Sequence, residues 1–308
     1  MSTDLPNRHR PRTFDDVLGN ETAIQALKAQ IALPNDKRKR VILLTGLSGG
    51  GKNTLAYIFA EAVNGEVTEH NCSRMTGKDS ADEIADGFQY LAASKDYTVQ
   101  ILNEAARLSK NAQDSLLDPL EKCPAHVFVI LCTSTPELLK KDIRNRCLEI
   151  EVKPLSEKDS KRLVKRVSSA EGMEIPSEAV AAIIGASDGS ARAILSNIEA
   201  VHGALSTGAE VHEAVKLLSG PGGDDADGKA LYNALANGGD WVAVVRGFKG
   251  KEPESIRRGV LGYANAVFLA SKNPKALVIT QIFASANTYD SGMPGITVLS
   301  SMAKEALG

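Results

Sequence analysis

A chain of 308 residues, 43% hydrophobic and 24% charged, is long enough for two or three domains with proper cores and has the make-up of a globular protein. Its net charge of −2 excludes a globally basic nucleic-acid binder, while leaving room for a local basic patch. No apolar run approaches the ~18 residues of a membrane span, the opening MSTDLPNRHRPRTF lacks the apolar region of a secretory signal, and Cys72, Cys123, Cys132 and Cys147 lack C-x-x-C spacing, which points to reduced thiols rather than zinc.

Residues 8–22 read RHRPRTFDDVLGNET. Pro11 sets an extended entry, Thr13 or Asp15 suits the cap of a short helix, and Asn20 suits the cap of a helix from Glu21 to Ile31. The basic run NDKRKR at 35–40 reads as a solvated turn. Residues 41–54, VILLTGLSGGGKNT, organise the chain. Val41 to Leu44 predicts a buried parallel strand. Gly46, Gly49, Gly50, Gly51 and Lys52 then fit G-x-x-x-x-G-K, the phosphate-binding loop. Glycines let backbone N–H groups curl around a phosphate. Lys52 adds a point charge, and a helix starting near Asn53 aims its N-terminal dipole at the same anion. The loop departs from pattern at one position. A hydroxyl that ligates magnesium is expected after the lysine, but Asn53 stands there and Thr54 comes one residue late. An amide oxygen also binds magnesium, so the site is weakened rather than voided.

A second strand is predicted over 66–73, a loop carrying Arg74 and Lys78 over 74–79, and a helix over 80–94 through Ile84, Phe88 and Leu91. The two cations read first as solvated groups and second as phosphate-backbone contacts; Lys110 is a third, weaker candidate for DNA. Residues 97–104, YTVQILNE, form a strand ending at Asn103 and Glu104. Ser109 suits a helix cap, Leu116, Leu117 and Leu120 give that helix an apolar face, and Pro119 is placed to kink it. Residues 126–134 predict a buried strand ending in hydroxyls at Thr133 and Ser134. Arg144 and Arg146 precede the segment CLEIEV. Three helices are predicted from Ser156, from Ser177 and from Asp188–Ser190. The Gly- and Asp-rich stretch 218–228 reads as a linker and domain boundary, and 229–308 is helical by periodicity.

Taken together, these segments resemble the small subunits of AAA+ sliding-clamp loaders, of the replication factor C, bacterial and phage types. The resemblance rests on R-P-x-T-F-D-D-V-L-G-N-E at 10–21, the loop at Gly46–Lys52, the run NEAARLSKNAQDSLLDPLEKCP at 103–124, Arg146-Cys147, and G-x-x-R-x-x-L at 189–195. It covers about residues 8–202. It implies an α/β fold: an AAA+ P-loop core with a parallel sheet over 1–153, a small helical lid over 154–216, and an all-helical collar that holds the oligomer together over 217–308. It implies ATP and Mg²⁺ as cofactors, and other loader subunits in a pentamer, a sliding clamp and primer–template DNA as partners. The compartment would be the cytoplasm of a bacterium or phage-infected cell, or a nucleus if the source is eukaryotic.

The residue roles follow from the same resemblance. Gly46, Gly49, Gly50, Gly51, Lys52, Asn53 and Thr54 would hold ATP, with the opening segment near the adenine. Glu104 would polarise the attacking water. Ser134 would sense the γ-phosphate, Arg192 would reach the phosphates from the lid, and Arg146 would serve the nucleotide of a neighbouring subunit. Magnesium would fall to Asn53, in place of the family's hydroxyl, and to Asn103, where the family's aspartate charge is missing. Three readings stay open: a weakened but active loader ATPase; a subunit that binds ATP without turnover and lends Arg146 to a neighbour; and a different AAA+ ATPase of DNA metabolism.

Overall fold

The computed structural model describes residues 4–73, 78–92, 94–219, 225–285, 288 and 292–307. Among the described residues five strands form one sheet: β1 (Val41–Gly46), β2 (Gly65–Asn71), β3 (Tyr97–Asn103), β4 (Val127–Thr133) and β5 (Leu148–Val152). Their order is β2-β3-β4-β1-β5, and every pair is parallel. Both faces are covered, as a parallel sheet requires. Ile42, Leu44, Ile101, Phe128 and Ile130 point to one face, where Leu27, Leu55 and Phe59 pack on them. Val41, Leu43, Leu102, Val129 and Leu131 point to the other, against Ile84, Leu116 and Ile143. The period of two along each strand sets this division.

The chain falls into two compact units, Met1–Val211 and His212–Gly308. In the first, the helices are α1 (Leu5–Arg8), α2 (Glu21–Ala32), α3 (Lys52–Ala62), α4 (Lys78–Asp86), α5 (Lys110–Ser115), α6 (Leu117–Glu121), α7 (Lys141–Arg146), α8 (Glu157–Glu171), α9 (Ser177–Gly185) and α10 (Ala191–Ser206). Helix α11 (Val211–Lys216) opens at the division. The second unit continues with α12 (Asp225–Ala236), α13 (Trp241–Gly247), α14 (Pro253–Ser271), α15 (Pro274–Ala284) and α16 (Gly292–Leu307). Their core gathers Leu231, Leu235, Phe248, Ile256, Val260, Ile279, Phe283 and Ile296.

Several local expectations hold for stated reasons. The Oγ atoms of Ser109, Ser156 and Ser190 accept from the backbone N–H three residues on, capping α5, α8 and α10. Pro119 has no N–H to give to the carbonyl four residues earlier, and the expected single helix is divided at Leu116 into α5 and α6. Three details differ. Asn20 precedes α2 in a left-handed conformation and makes no side-chain cap; instead its amide donates to the Lys153 carbonyl at 3.0 Å and accepts from the Lys153 N–H at 2.7 Å. The helix expected over 80–94 ends at Asp86, passes through one short 3-10 turn at Gly87–Gln89, and leaves Leu91 74% exposed. Of the expected linker at 218–228, residues 220–224 lie outside the described residues, while 225–228 already belong to α12.

Candidate functional site

A cleft of about 470 Å³ opens at the carboxyl ends of the strands, where open parallel sheets bind ligands. Its floor is the turn between β1 and α3. Gly46, Gly49 and Gly51 take φ of 131°, 72° and 105°, values that favour glycine. At Gly46 the sheet imposes a second demand, since a Cβ there would lie 2.0 Å from the Val152 carbonyl oxygen. Ser48, Gly49, Gly50, Gly51, Lys52, Asn53 and Thr54 all line the cleft. Lys52 is 7% exposed, and its Nζ donates to the carbonyls of Gly46 at 2.8 Å and Leu47 at 3.0 Å. Burial lowers its pKa below the ordinary ammonium value; Glu104 opposes this and Arg192 adds to it. Those couplings place a carboxylate and a guanidinium beside the lysine.

Glu104 follows β3 in a left-handed conformation, φ 53°, which turns its side chain from the sheet line into the cleft lining. Arg192 enters from the first turn of α10. Its backbone N–H donates to the Gly49 carbonyl at 3.3 Å, so α10 and the glycine loop touch directly. The wall includes His9, Arg10, Pro11, Val17 and Leu18 from the opening segment, with Leu163 of α8 and Leu195 of α10. Val17, Leu18, Leu163 and Leu195 give this wall an apolar surface suited to a flat aromatic ring, beside a floor of amides and cations suited to phosphates.

Other expected residues stand apart. Arg146 is at the C-terminal end of α7 and outside the cleft; it pairs with Glu121 at 2.5 Å and donates to the Asp142 carbonyl at 2.8 Å. Arg144 pairs with Glu149 at 2.9 Å. Ser134 is exposed just past β4 and is not part of the lining, whereas Cys132, two residues earlier, is. Asn103 is also not part of the lining. Lys110 is exposed at the start of α5. Arg74 lies outside the described residues, and of Lys78 only the backbone, at the start of α4, is described.

The cleft holds residues that the sequence did not mark. Glu69 of β2 lines it and accepts hydrogen bonds from Tyr57 Oη and Asn103 Nδ2. Burial pushes the Tyr57 phenol up to about 12, helped by the Glu69 bond. Arg10 stacks 4.8 Å over the Tyr57 ring and donates from Nε to Thr54 Oγ1 at 3.3 Å. A polar alternation along β2 was the available signal for Glu69, but its partners come from strand pairing and not from spacing.

The donor set fits magnesium. Asn53, Thr54, Glu69 and Glu104 offer hard oxygens, and the buried Asn103 Oδ1 accepts no hydrogen bond. Among the described residues no group of three or more His, Cys, Asp or Glu side chains gathers to hold a metal. One or two carboxylates plus substrate phosphates and water is how magnesium is usually held. No described helix is long and apolar enough to cross a membrane.

Residues 42–155 match the ATPase family associated with various cellular activities, AAA. The DNA polymerase III subunit tau of Escherichia coli is 27% identical across 89% of this chain and 46% of its own length. The replication factor C small subunit of Natronomonas pharaonis is 27% identical across 69% of this chain and 66% of its own. The chain thus spans about half to two thirds of these curated relatives. Among solved structures, the Thermotoga maritima RuvB Holliday junction branch migration motor superposes with a TM-score of 0.59 at 21% identity, over 73% of this chain and 79% of that one. At that identity the likeness speaks for the fold alone.

Proposed function

From an AAA domain carried on an AAA+ P-loop fold, we propose that this chain is a subunit of a sliding-clamp loader, binding ATP with Mg²⁺ at its own cleft and serving a neighbour's site with Arg146. One observation carries the reading. Lys52, Glu104 and Arg192 converge on one cleft, while Arg146 is held outside it, on the surface at the end of α7. A guanidinium so placed acts on a nucleotide only across a subunit border. The names of the curated relatives support the same role.

In this reading the amides of Gly49–Lys52 and the Lys52 ammonium hold the β- and γ-phosphates. Val17, Leu18 and Leu195 flank the base. Glu104 orients the attacking water, and Arg192 draws the lid onto the phosphates. Asn53 and Asn103 would hold magnesium, which would supply positive charge against the phosphates. The core, lid and collar correspond to 1–153, 154–216 and 217–308. Pentameric assembly, with primer–template DNA and clamp gripped in the ATP state, completes the proposal. A second reading, ATP binding without turnover, is favoured by the amides at Asn53 and Asn103. Each lost charge-assisted contact costs about 1.5–3 kcal/mol.

The test is ATP turnover by the assembled loader with and without clamp and primer–template DNA, beside Glu104→Gln and Arg146→Ala. Turnover stimulated by clamp and DNA, abolished by Glu104→Gln, supports the motor. Nucleotide binding with no turnover, and loss of the partner's turnover in Arg146→Ala, supports the second reading. Failure to bind any clamp sinks both.

A further inference from the structure

The end of β3 carries an amide where the resemblance calls for a carboxylate, and the neighbouring strand carries a carboxylate close by. Strands β2 and β3 pair in parallel, with Glu69 opposite Ile101 and Asn71 opposite Asn103. Across this pair, Asn103 Nδ2 donates to Glu69 Oε1. Tyr57 Oη donates to Oε2. Each carboxylate oxygen therefore has one neutral donor, and among the described residues no cation pairs directly with the negative charge. Glu69 lines the cleft together with Lys52, Asn53, Thr54 and Glu104, while Asn103 sits behind it.

The residue type at 103 now has a reason. A carboxylate accepts and cannot donate. An aspartate there would set two like charges at hydrogen-bond distance, and one would have to take up a proton. An asparagine supplies the N–H that Glu69 needs. With Nδ2 committed to Glu69, its Oδ1 is the buried acceptor left without a partner, a natural acceptor for a water on an ion's hydration shell.

We propose that Glu69 is the acidic residue on the metal side of the nucleotide, and that Asn103 and Tyr57 are the positioning residues that hold it. The site is then not a decayed one. Its metal-side carboxylate has moved from β3 to β2, and Asn103 is the complement of that move. Magnesium commonly binds nucleotide sites through one carboxylate and several waters, and Glu69 meets that need by accepting from those waters. This inference rests on reading the cleft as an ATP site.

The test separates the two. A fluorescent ATP analogue is titrated into the full chain with excess chelator and again with saturating Mg²⁺, for wild type, Glu69→Gln, and the exchange variant Glu69→Gln/Asn103→Asp. The tightening produced by magnesium, taken as the ratio of the two affinities of each protein, is expected to fall about tenfold in Glu69→Gln. The exchange variant returns one carboxylate to the pair, with the introduced glutamine amide on β2 now the donor, and is expected to recover most of the tightening. Melting curves of the three apo proteins within a few degrees of one another confirm that all are folded. A Glu69→Gln protein with wild-type magnesium tightening overturns the inference and leaves the ATP reading standing. So does a loss that the exchange variant fails to recover. A wild-type chain that binds the analogue in neither condition overturns both.

Discussion

Gly49→Ala tests the contact between phosphate loop and lid. Gly49 has φ +72°, and a Cβ there would lie 2.4 Å from Ser190 Oγ and 3.1 Å from Arg192 Cβ. A residue with a Cβ pays about 1–2 kcal/mol in the left-handed region. Restricting the unfolded chain returns about 0.4–1 kcal/mol. Ser190 Oγ must rotate away, which breaks its 3.3 Å bond to the Ala193 N–H and removes a helix cap of about 1 kcal/mol. The net cost is roughly 2 kcal/mol, so exchange of the Ala193 amide should quicken roughly 30-fold. Hydrogen exchange read by mass spectrometry over the first turn of α10 measures it. Ser190→Ala alone should cost about 1 kcal/mol, and adding it to Gly49→Ala should cost almost nothing more, because the cap is already gone. Additive effects would refute the collision and leave only backbone strain.

Lys52→Ala removes the cation held over the loop by the Gly46 and Leu47 carbonyls, and calorimetry should read a loss of ATP affinity of roughly ten- to a hundredfold. In the second unit Glu254, 3% exposed, is bound by Arg257 at 2.6 Å and by the Thr288 N–H and hydroxyl, each at 2.9 Å. Burial raises its pKa, but the bonds from Arg257 and Thr288 outweigh burial and hold the carboxyl at about 2 against an ordinary 4.5. A depressed carboxyl stabilises the fold fully above pH ~4.5 and loses that contribution as pH falls toward ~2, on the order of 3 kcal/mol in all. Fluorescence of Trp241, in the same unit, should show acid unfolding in that window, and Glu254→Gln should lower stability at pH 7 while flattening the acid limb. Burial pushes the thiols of Cys72, Cys123, Cys132 and Cys147 up to about 12. Cys72 and Cys132 are also shielded from solvent, so these two should resist alkylation at pH 8 until denaturant is added; fast labelling of either in the native state contradicts their burial.

The parts of this molecule visible in its sequence are those set by short-range rules. Val41–Gly46 reads as a strand because four apolar residues run into a glycine turn, and Ser109 reads as a cap because its partner lies three residues away. What escaped depends on pairs far apart in the chain. Asn20 looks like a cap but joins Lys153, 133 residues on. Glu69 looks like a solvated strand residue until β3 is laid beside it. Leu91 continues a helical period, yet the 3-10 turn after Asp86 breaks that period and puts it in solvent. At β4 the pattern marked Ser134, while the paired strands bring Cys132 to the cleft.

The first residues of the chain lead two lives one peptide apart. Leu5 N–H is held by Glu199 of α10 at 2.5 Å, and Arg8 and His9 by Glu171 of α8 at 2.9 and 2.6 Å, so this end is tied to α8 and α10. Arg10 is held by Thr54 and Tyr57 of α3 and travels with the sheet. The opening arm therefore joins α8 and α10 to the helix of the glycine loop across a single peptide bond, and the Arg166 guanidinium of α8 adds a tie to the Asp16 carbonyl at 2.8 Å.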